Sequence, residues 1–459
     1  MDRLTMLRQR PCRQLSVIAT AGILLLIVYH VYHQPVLGQL SVHRLPLPKT
    51  ASLSNRKHFD DLRLDDAQCQ ATFPGLTKDI DDMVAFGSFS VKYETRPDSP
   101  MLVRLEKGQL YIVHHETDKD IITAPYRDAR LATLHQIHRA ILTSPVPLPD
   151  TVLAVNVLDG PRNDTLSYSR AAFGAATPGS PLVTRAFLMP HFSFWGWPAL
   201  PFVGSFQKAV EAVSTQHMPF SKKDARPVWR GTKRYNSAQH PKMREDLLAV
   251  AGGQRWADVQ ELAWGEGDGQ TKNDQKVVAT NALRIQDFCK YKYVVHTEGI
   301  TYSGRLQFLQ LCASVLLTPP MAWLQHTTHL VKPVYASDLL GVRTTEKETT
   351  SPAGKKWPRY SPSEANAVFV APDWSDLYDA VTWLEAHLDV AEGIAQRQRS
   401  LFWEQQGYLS PAAEVCYWRA LIQGWAKVAK VIDERWSKAP RGVPWEEFAM
   451  GYPKEVRDK

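Results

Sequence analysis

Four segments of the chain carry residue types whose order could support chemistry on an anionic, hydroxyl-bearing ligand. The first ends in Asp159, which closes the apolar, β-branched run Thr151–Leu158 and precedes the turn formers Gly160-Pro161. That places a carboxylate at the carboxyl end of a buried strand, where open α/β sheets bind ligands. Such a group can take the proton from an attacking hydroxyl; the plain alternative is a turn former. The second is Pro190–Pro198, in which His191, Phe192, Phe194, Trp195 and Trp197 crowd between prolines. It offers a stacking wall for a sugar or peptide, or ordinary packing. The third, Val228–Arg234, is a short strand entering a basic loop with Gly231 and Thr232, and Arg244 follows a turn at His240-Pro241. It suits a phosphate or a sugar hydroxyl, or a solvated surface loop. The fourth is Tyr293–Ala313: a strand, a loop holding Gly299 and Gly304, and a helix starting near Arg305. Unpaired N–H groups at a helix N-terminus favour an anion, and an arginine there can add a bidentate contact. The alternative is a simple strand-to-helix turn, since neither a Walker loop nor a dinucleotide fingerprint is present.

These segments need a scaffold that gathers strand ends. Lys292–Thr297 reads as a strand, Arg305–Ala313 as an amphipathic helix, and Ser314–Thr318 as the next strand, stopped by Pro319-Pro320. Such a βαβ unit implies a parallel sheet. The C-terminal part reads as helical. One helix is capped by Ser375 and runs to about His387, and another runs through Gln406. A third is opened by Ser410-Pro411 and runs to about Trp436, with Val415, Trp418, Leu421, Ile422 and Trp425 as a docking stripe. A chain of 459 residues, 44% hydrophobic and 22% charged, can build two sizeable α/β domains. Four arginines against Asp2 give +3 of the net +7 within the first fourteen residues, leaving +4 for the rest. No other cluster of Lys and Arg suggests a nucleic-acid groove, so no nucleic acid is expected as a partner.

The N-terminus carries Arg3, Arg8, Arg10 and Arg13 ahead of the apolar run Leu15–Tyr29. About 17 uncharged residues can just cross a bilayer core. An uncleaved signal anchor and a cleaved signal peptide are both open readings. No small-x-small site follows Tyr29, so residues 1–14 are read as a cytosolic tail, 15–33 as a transmembrane signal anchor and 34–59 as a stem. Cys12 would then be cytosolic, while Cys69, Cys289, Cys312 and Cys416 would face an oxidising lumen, where sequence alone permits three pairings. Asn163-Asp164-Thr165 is a glycosylation sequon, usable only in that setting.

Taken in order, the four segments resemble glycosyltransferase family 90, which includes fungal capsule-associated xylosyltransferases and animal protein O-glucosyltransferases. The resemblance runs from about residue 60 to 430. Asn156–Asp159 is similar to the family's Asn-Val-x-Asp, which implies Asp159 as catalytic base. Phe192–Pro198 resembles its acceptor-side aromatic loop and implies His191, Phe194 and Trp195 on that side. Trp229–Thr232 resembles its aromatic-Arg-Gly-Ser/Ala segment, implying donor contacts from Thr232 and Arg244. Phe288–Tyr293, Gly299–Arg305 and Leu311-Cys312 form the strongest match. They imply that Ile300, Thr301, Tyr302, Ser303, Gly304 and Arg305 wrap a nucleotide diphosphate. Cys416-Tyr417-Trp418 matches a late Cys-Tyr-Trp, and the resemblance implies Cys289 paired with Cys312 and Cys69 with Cys416. Gly160, and Tyr302-Ser303-Gly304 before the arginine, depart from the usual pattern.

The resemblance implies a GT-B-type α/β fold: an acceptor-side Rossmann-like domain at 60–215, a donor-binding one at 216–385, and C-terminal helices over 386–459. It implies inverting transfer from a UDP-sugar, xylose or glucose, to a glycan or protein hydroxyl, with no cofactor and no metal expected. A non-catalytic carbohydrate- or nucleotide-binding protein is the rival from another class. A glycoside hydrolase would need a second carboxylate, and none nominates itself. Val456–Lys459 is not an ER-retrieval signal, which with the short anchor places the expected single-pass type II protein in the Golgi, or otherwise the ER.

Overall fold

The computed structural model describes residues 58–451, except 119–120, 173–184, 198–199, 201, 216–217, 265–278, 343–354 and 432–433. The expected tail and anchor, and the stem as far as residue 57, lie outside the described residues. No described helix is long and apolar enough to cross a membrane. The folded part is already under way at Phe59, whose buried ring lies 6.1 Å from that of Phe73.

The protein is a mixed α/β structure built on two six-stranded sheets. In the first, β1 (Met101–Glu106), β2 (Gln109–His114), β3 (Thr151–Val155), β4 (Thr165–Ser167) and β5 (Ala186–Leu188) are joined by β12 (Val443–Pro444) from the far end of the chain. Their order is β12-β2-β1-β3-β4-β5. β1 and β2 form a hairpin closed by Lys107 and Gly108, both at positive φ (51° and 76°), the geometry whose twist matches paired strands. The expected buried strand at 151 is present, but only β4 runs parallel to it; its other edge pairs antiparallel with β1 because the hairpin intervenes.

The second sheet holds β6 (Asp224–Gly231), β7 (Asp258–Glu261), β8 (Tyr291–Val295), β9 (Val315–Thr318), β10 (Pro333–Tyr335) and β11 (Ala367–Phe369). Their order is β10-β11-β9-β8-β6-β7, and all neighbours are parallel. β6 leads to β7 on one side, whereas β8 and the later strands lie on the other. The order in which strands are added therefore reverses between β6 and β8, and the crevice beyond their carboxyl ends is where such sheets take ligands.

Helix α1 (Asp66–Thr72) opens the fold, α2 (Ala124–Leu142) lies on the first sheet's side, and α3 (Met243–Ala251) follows β6. The helix expected over Arg305–Ala313 is only α4 (Leu306–Leu309). Beyond it the chain unwinds, and its carbonyls are taken by other donors: Leu311 O by Arg399 at 3.1 Å and Ser314 O by Gln398 at 3.0 Å. Those donors belong to α6 (Leu388–Arg399), which follows α5 (Leu377–Ala386). Ser375 does not cap α5; its hydroxyl donates to Asp373 instead. α7 (Pro411–Val428) starts as expected, with Ser410 Oγ accepting from Ala413 N at 3.2 Å. It ends short of Trp436 because Ala429-Lys430 pairs as a strand with Phe89-Ser90. Its stripe is fully buried, and Trp425 donates to Val152 O of β3. Burial of Leu421 or Ile422 alone contributes roughly 1.5–3 kcal/mol.

Two disulfides are formed, Cys289–Cys312 and Cys69–Cys416, with Cα separations of 4.8 and 5.7 Å. The first clamps the strand-loop-helix segment that carries Gly299–Arg305. The second ties α1 to α7.

Candidate active site

The carboxyl end of β6 is shaped by a close approach. A Cβ on Gly231 would lie 2.4 Å from the Trp229 ring, so only glycine lets the chain turn there. Trp229 itself is fully buried and donates to Thr297 Oγ1 beyond β8. Thr232 follows, its hydroxyl accepting from Trp264 Nε1 at 3.0 Å. Arg244, in the first turn of α3, bridges the two strand ends. It donates from Nη1 to Thr232 O at 2.8 Å and from Nε to Glu298 O at 3.0 Å. Arg305 donates to Arg230 O.

Arg244 and Arg305 therefore meet at the switch point, and among the described residues neither has a carboxylate at ion-pair distance. Burial, and then the charge of Arg305, bring Arg244 down to about 9. Burial brings Arg305 down to about 10, although part of its side chain still meets solvent. His296, also buried, is lowered to about 3 by burial and then by both guanidinium charges. The nearby Glu298 offers no counter-charge, because burial pushes it up to about 8 and its Oε1 is occupied by Trp323 N at 2.7 Å. Buried positive charge without compensation is costly unless an anion supplies it.

Across from this recess stands Asp159. The turn that carries it is folded by Asn156, whose Nδ2 donates to Gly160 O at 2.7 Å while Oδ1 accepts from Leu158 N at 3.3 Å. Thr301 Oγ1 donates to Asp159 O at 2.9 Å, a direct contact between the two halves of the site. Burial raises the Asp159 carboxyl, which has no hydrogen-bond partner among the described residues. Burial, and then its charge, raises three tyrosines: Tyr126 of α2 to about 12, and Tyr168 and Tyr302 further. A desolvated carboxylate with no hydrogen-bond partner of its own is suited to accepting a proton.

In the Gly299–Arg305 loop, Ile300 is 52% exposed at the tip, while Thr301 and Tyr302 are buried. Ser303 O accepts from Gln325, and Gly304 lies under His191, where a Cβ would meet the imidazole Cε1 at 2.5 Å. The acceptor-side trio is split. His191 is buried beside the loop; Phe194 is a core residue between Phe206 and His326; Trp195 is 42% exposed and stacked on His135 of α2 at 4.6 Å. Asn163 is exposed, its Oδ1 accepting from Arg185 N. Two Asp-x-Asp triplets occur in the sequence, Asp79–Asp81 and Asp118–Asp120. In the first, Asp79 is held by Arg170 and His329; the second extends outside the described residues. Tyr126, His296 and Trp264 were not nominated by sequence. Tyr126 comes from a helix with no motif, and only tertiary folding brings it beside Asp159.

A parallel sheet whose switch point gathers two guanidinium groups, joined through Thr301 to the turn that carries a carboxylate, fits an α/β group-transfer enzyme. Residues 65–349 match the profile described as glycosyl transferase family 90, and the chain belongs to that family of glycosyltransferases. It is similar to "O-glucosyltransferase rumi" of Drosophila melanogaster, 24% identical over 66% of this chain and 67% of that protein. It is similar also to "Protein O-glucosyltransferase 1" of Bos taurus, 23% identical over 61% of this chain and 63% of the relative, and to its Homo sapiens counterpart at 22% over the same shares. The match thus spans about two thirds or less of the length of these relatives.

Proposed function

We propose that this chain is an inverting, GT-B-type glycosyltransferase that moves glucose or xylose from a UDP-sugar to a hydroxyl of a protein or glycan. The observation that carries the proposal is the pair Arg244 and Arg305, buried together without a carboxylate where a diphosphate would supply the missing charge. The names of the relatives favour glucose as the sugar and protein as the acceptor.

Asp159 takes the proton of the acceptor hydroxyl as that oxygen bonds to C1 of the sugar. The bond from C1 to the diphosphate oxygen breaks with its electron pair, and UDP leaves. Arg244, Arg305, Thr232 and the backbone of Ile300–Gly304 hold the diphosphate as negative charge grows on it. With that charge met by guanidinium groups, the transfer proceeds without a divalent metal. The disulfides suit an oxidising lumen, and a single-pass type II protein of the Golgi or ER is the setting we propose.

Calorimetric titration of the full chain with UDP, UDP-glucose and UDP-xylose, with and without chelator, tests the donor site. Saturable binding that survives the chelator is expected, the tighter sugar marking the donor. A folded chain that binds none of them would sink the proposal. Release of UDP in the presence of acceptor separates an enzyme from a binding protein.

A further inference from the structure

His191 is held by a relay that crosses between the two halves of the site. Ser193 N donates to His191 Nδ1 at 3.2 Å, and Ser193 Oγ lies 2.7 Å from the same nitrogen. A backbone N–H can only donate, so Nδ1 is an acceptor and the ring proton must sit on Nε2. Ser193 Oγ in turn accepts from Gln307 Nε2 of α4 at 2.6 Å, which fixes the serine from the donor side. The Nε2 edge points toward the Gly304 loop, where Nε2 would be 2.6 Å from a Cβ at residue 304. Tyr302 and Tyr168, both raised by burial and then by the charge of Asp159, lie with ring centroids 5.5 and 5.3 Å from the imidazole. Among the described residues Nε2 has no hydrogen-bond partner. The imidazole is kept neutral by burial, which brings it down to about 3.

We infer that His191 binds the transferred sugar itself, its fixed Nε2–H donating to one ring hydroxyl of the donor pyranose, and so faces the donor rather than the acceptor. The placement follows from what brackets it. On one side is the loop proposed to hold the diphosphate, on the other the phenols around the proposed base, and the moving sugar must lie between leaving group and base. This rests on the donor-site reading above.

The test is calorimetry on the full chain with UDP, UDP-glucose and UDP-xylose, comparing wild type, His191→Phe and His191→Gln. The glutamine amide can present an N–H close to the imidazole Nε2. His191→Phe is expected to weaken the UDP-sugar about tenfold, in keeping with loss of one hydrogen bond, while UDP alone binds as before. His191→Gln should recover part of the loss. Donor analogues lacking one hydroxyl at a time keep the test independent of how the variants fold. In wild type one analogue should lose about as much as His191→Phe does, and combining that analogue with the variant should add nothing. Equal weakening of UDP and UDP-sugar, or additive losses at every hydroxyl, would overturn the inference. Failure of wild type to bind UDP at all would instead remove the donor site on which it stands.

Discussion

Replacing Arg305 with methionine should separate stability from ligand binding. Arg305 is charged in the folded and unfolded chain at every pH below about 10, so the folded state carries the whole penalty that burial imposes. The displacement from its ordinary value corresponds to about 3 kcal/mol against the charged form, an upper figure because solvent still touches the side chain. The substitution also frees the carbonyl of Arg230, to which Arg305 donates, at a cost of about 1–3 kcal/mol if nothing replaces the bond. The two terms nearly offset, so unliganded stability should move by no more than about 1–2 kcal/mol. UDP, in contrast, loses charge-assisted hydrogen bonds of about 1.5–3 kcal/mol, or roughly 10- to 150-fold in Kd. Thermal melts with and without UDP, beside calorimetric titration, read both quantities. The variant should melt close to wild type, yet gain about 1.5–3 kcal/mol less from saturating UDP. A variant that melts many degrees lower, or one that keeps full UDP affinity, would refute the claim that this guanidinium is held for an anion.

Asp159→Asn should lower turnover by about 10²–10⁴ while UDP affinity stays within a few-fold, measured by UDP release and by titration. The Asp159 carboxyl, raised by burial, must be ionised to act as base, so kcat/KM should fall as pH drops through a point above its ordinary value. A wild-type profile flat to pH 4 would speak against that role. Gly304→Ala forces a Cβ against the His191 imidazole, and the loop must shift; the KM for donor is expected to rise at least tenfold. Replacing Cys289 and Cys312 together by serine reopens a segment of sequence separation 23, which in the disputed chain-entropy account costs about 3 kcal/mol in urea unfolding. It should loosen UDP binding as well.

Much of the second sheet and its Gly299–Arg305 loop is legible in the sequence because the signals are local. A β-branched strand, glycines and an arginine lie within one short segment, Tyr293–Arg305, and the fold needs only to pleat it. The parallel sheet follows from the alternation of strands and helices around it. The β1–β2 hairpin also has a local signal, Val103-Arg-Leu-Glu106 and Gln109-Leu110 alternating on either side of Lys107-Gly108, both at positive φ. What sequence does not carry is the direction of aromatic side chains in a three-residue 3₁₀ turn. Phe192–Phe194 turns Phe194 into the core and leaves Trp195 outside, though all are equally apolar. The brevity of α4 is equally hidden, since the donors that take its carbonyls stand on α6, far along the chain. Cys69, Cys289, Cys312 and Cys416 are compatible with three pairings in sequence, and the two that form join elements whose proximity is tertiary.

The Cys69–Cys416 bond joins residues of sequence separation 347, so both six-stranded sheets, but for the edge strand Val443–Pro444, lie within one covalent ring. A protease that cuts once anywhere within that ring linearises it without releasing a fragment. Such a nicked chain should run as one species on a non-reducing gel and as two after reduction, and both parts of the site would remain on a single molecule.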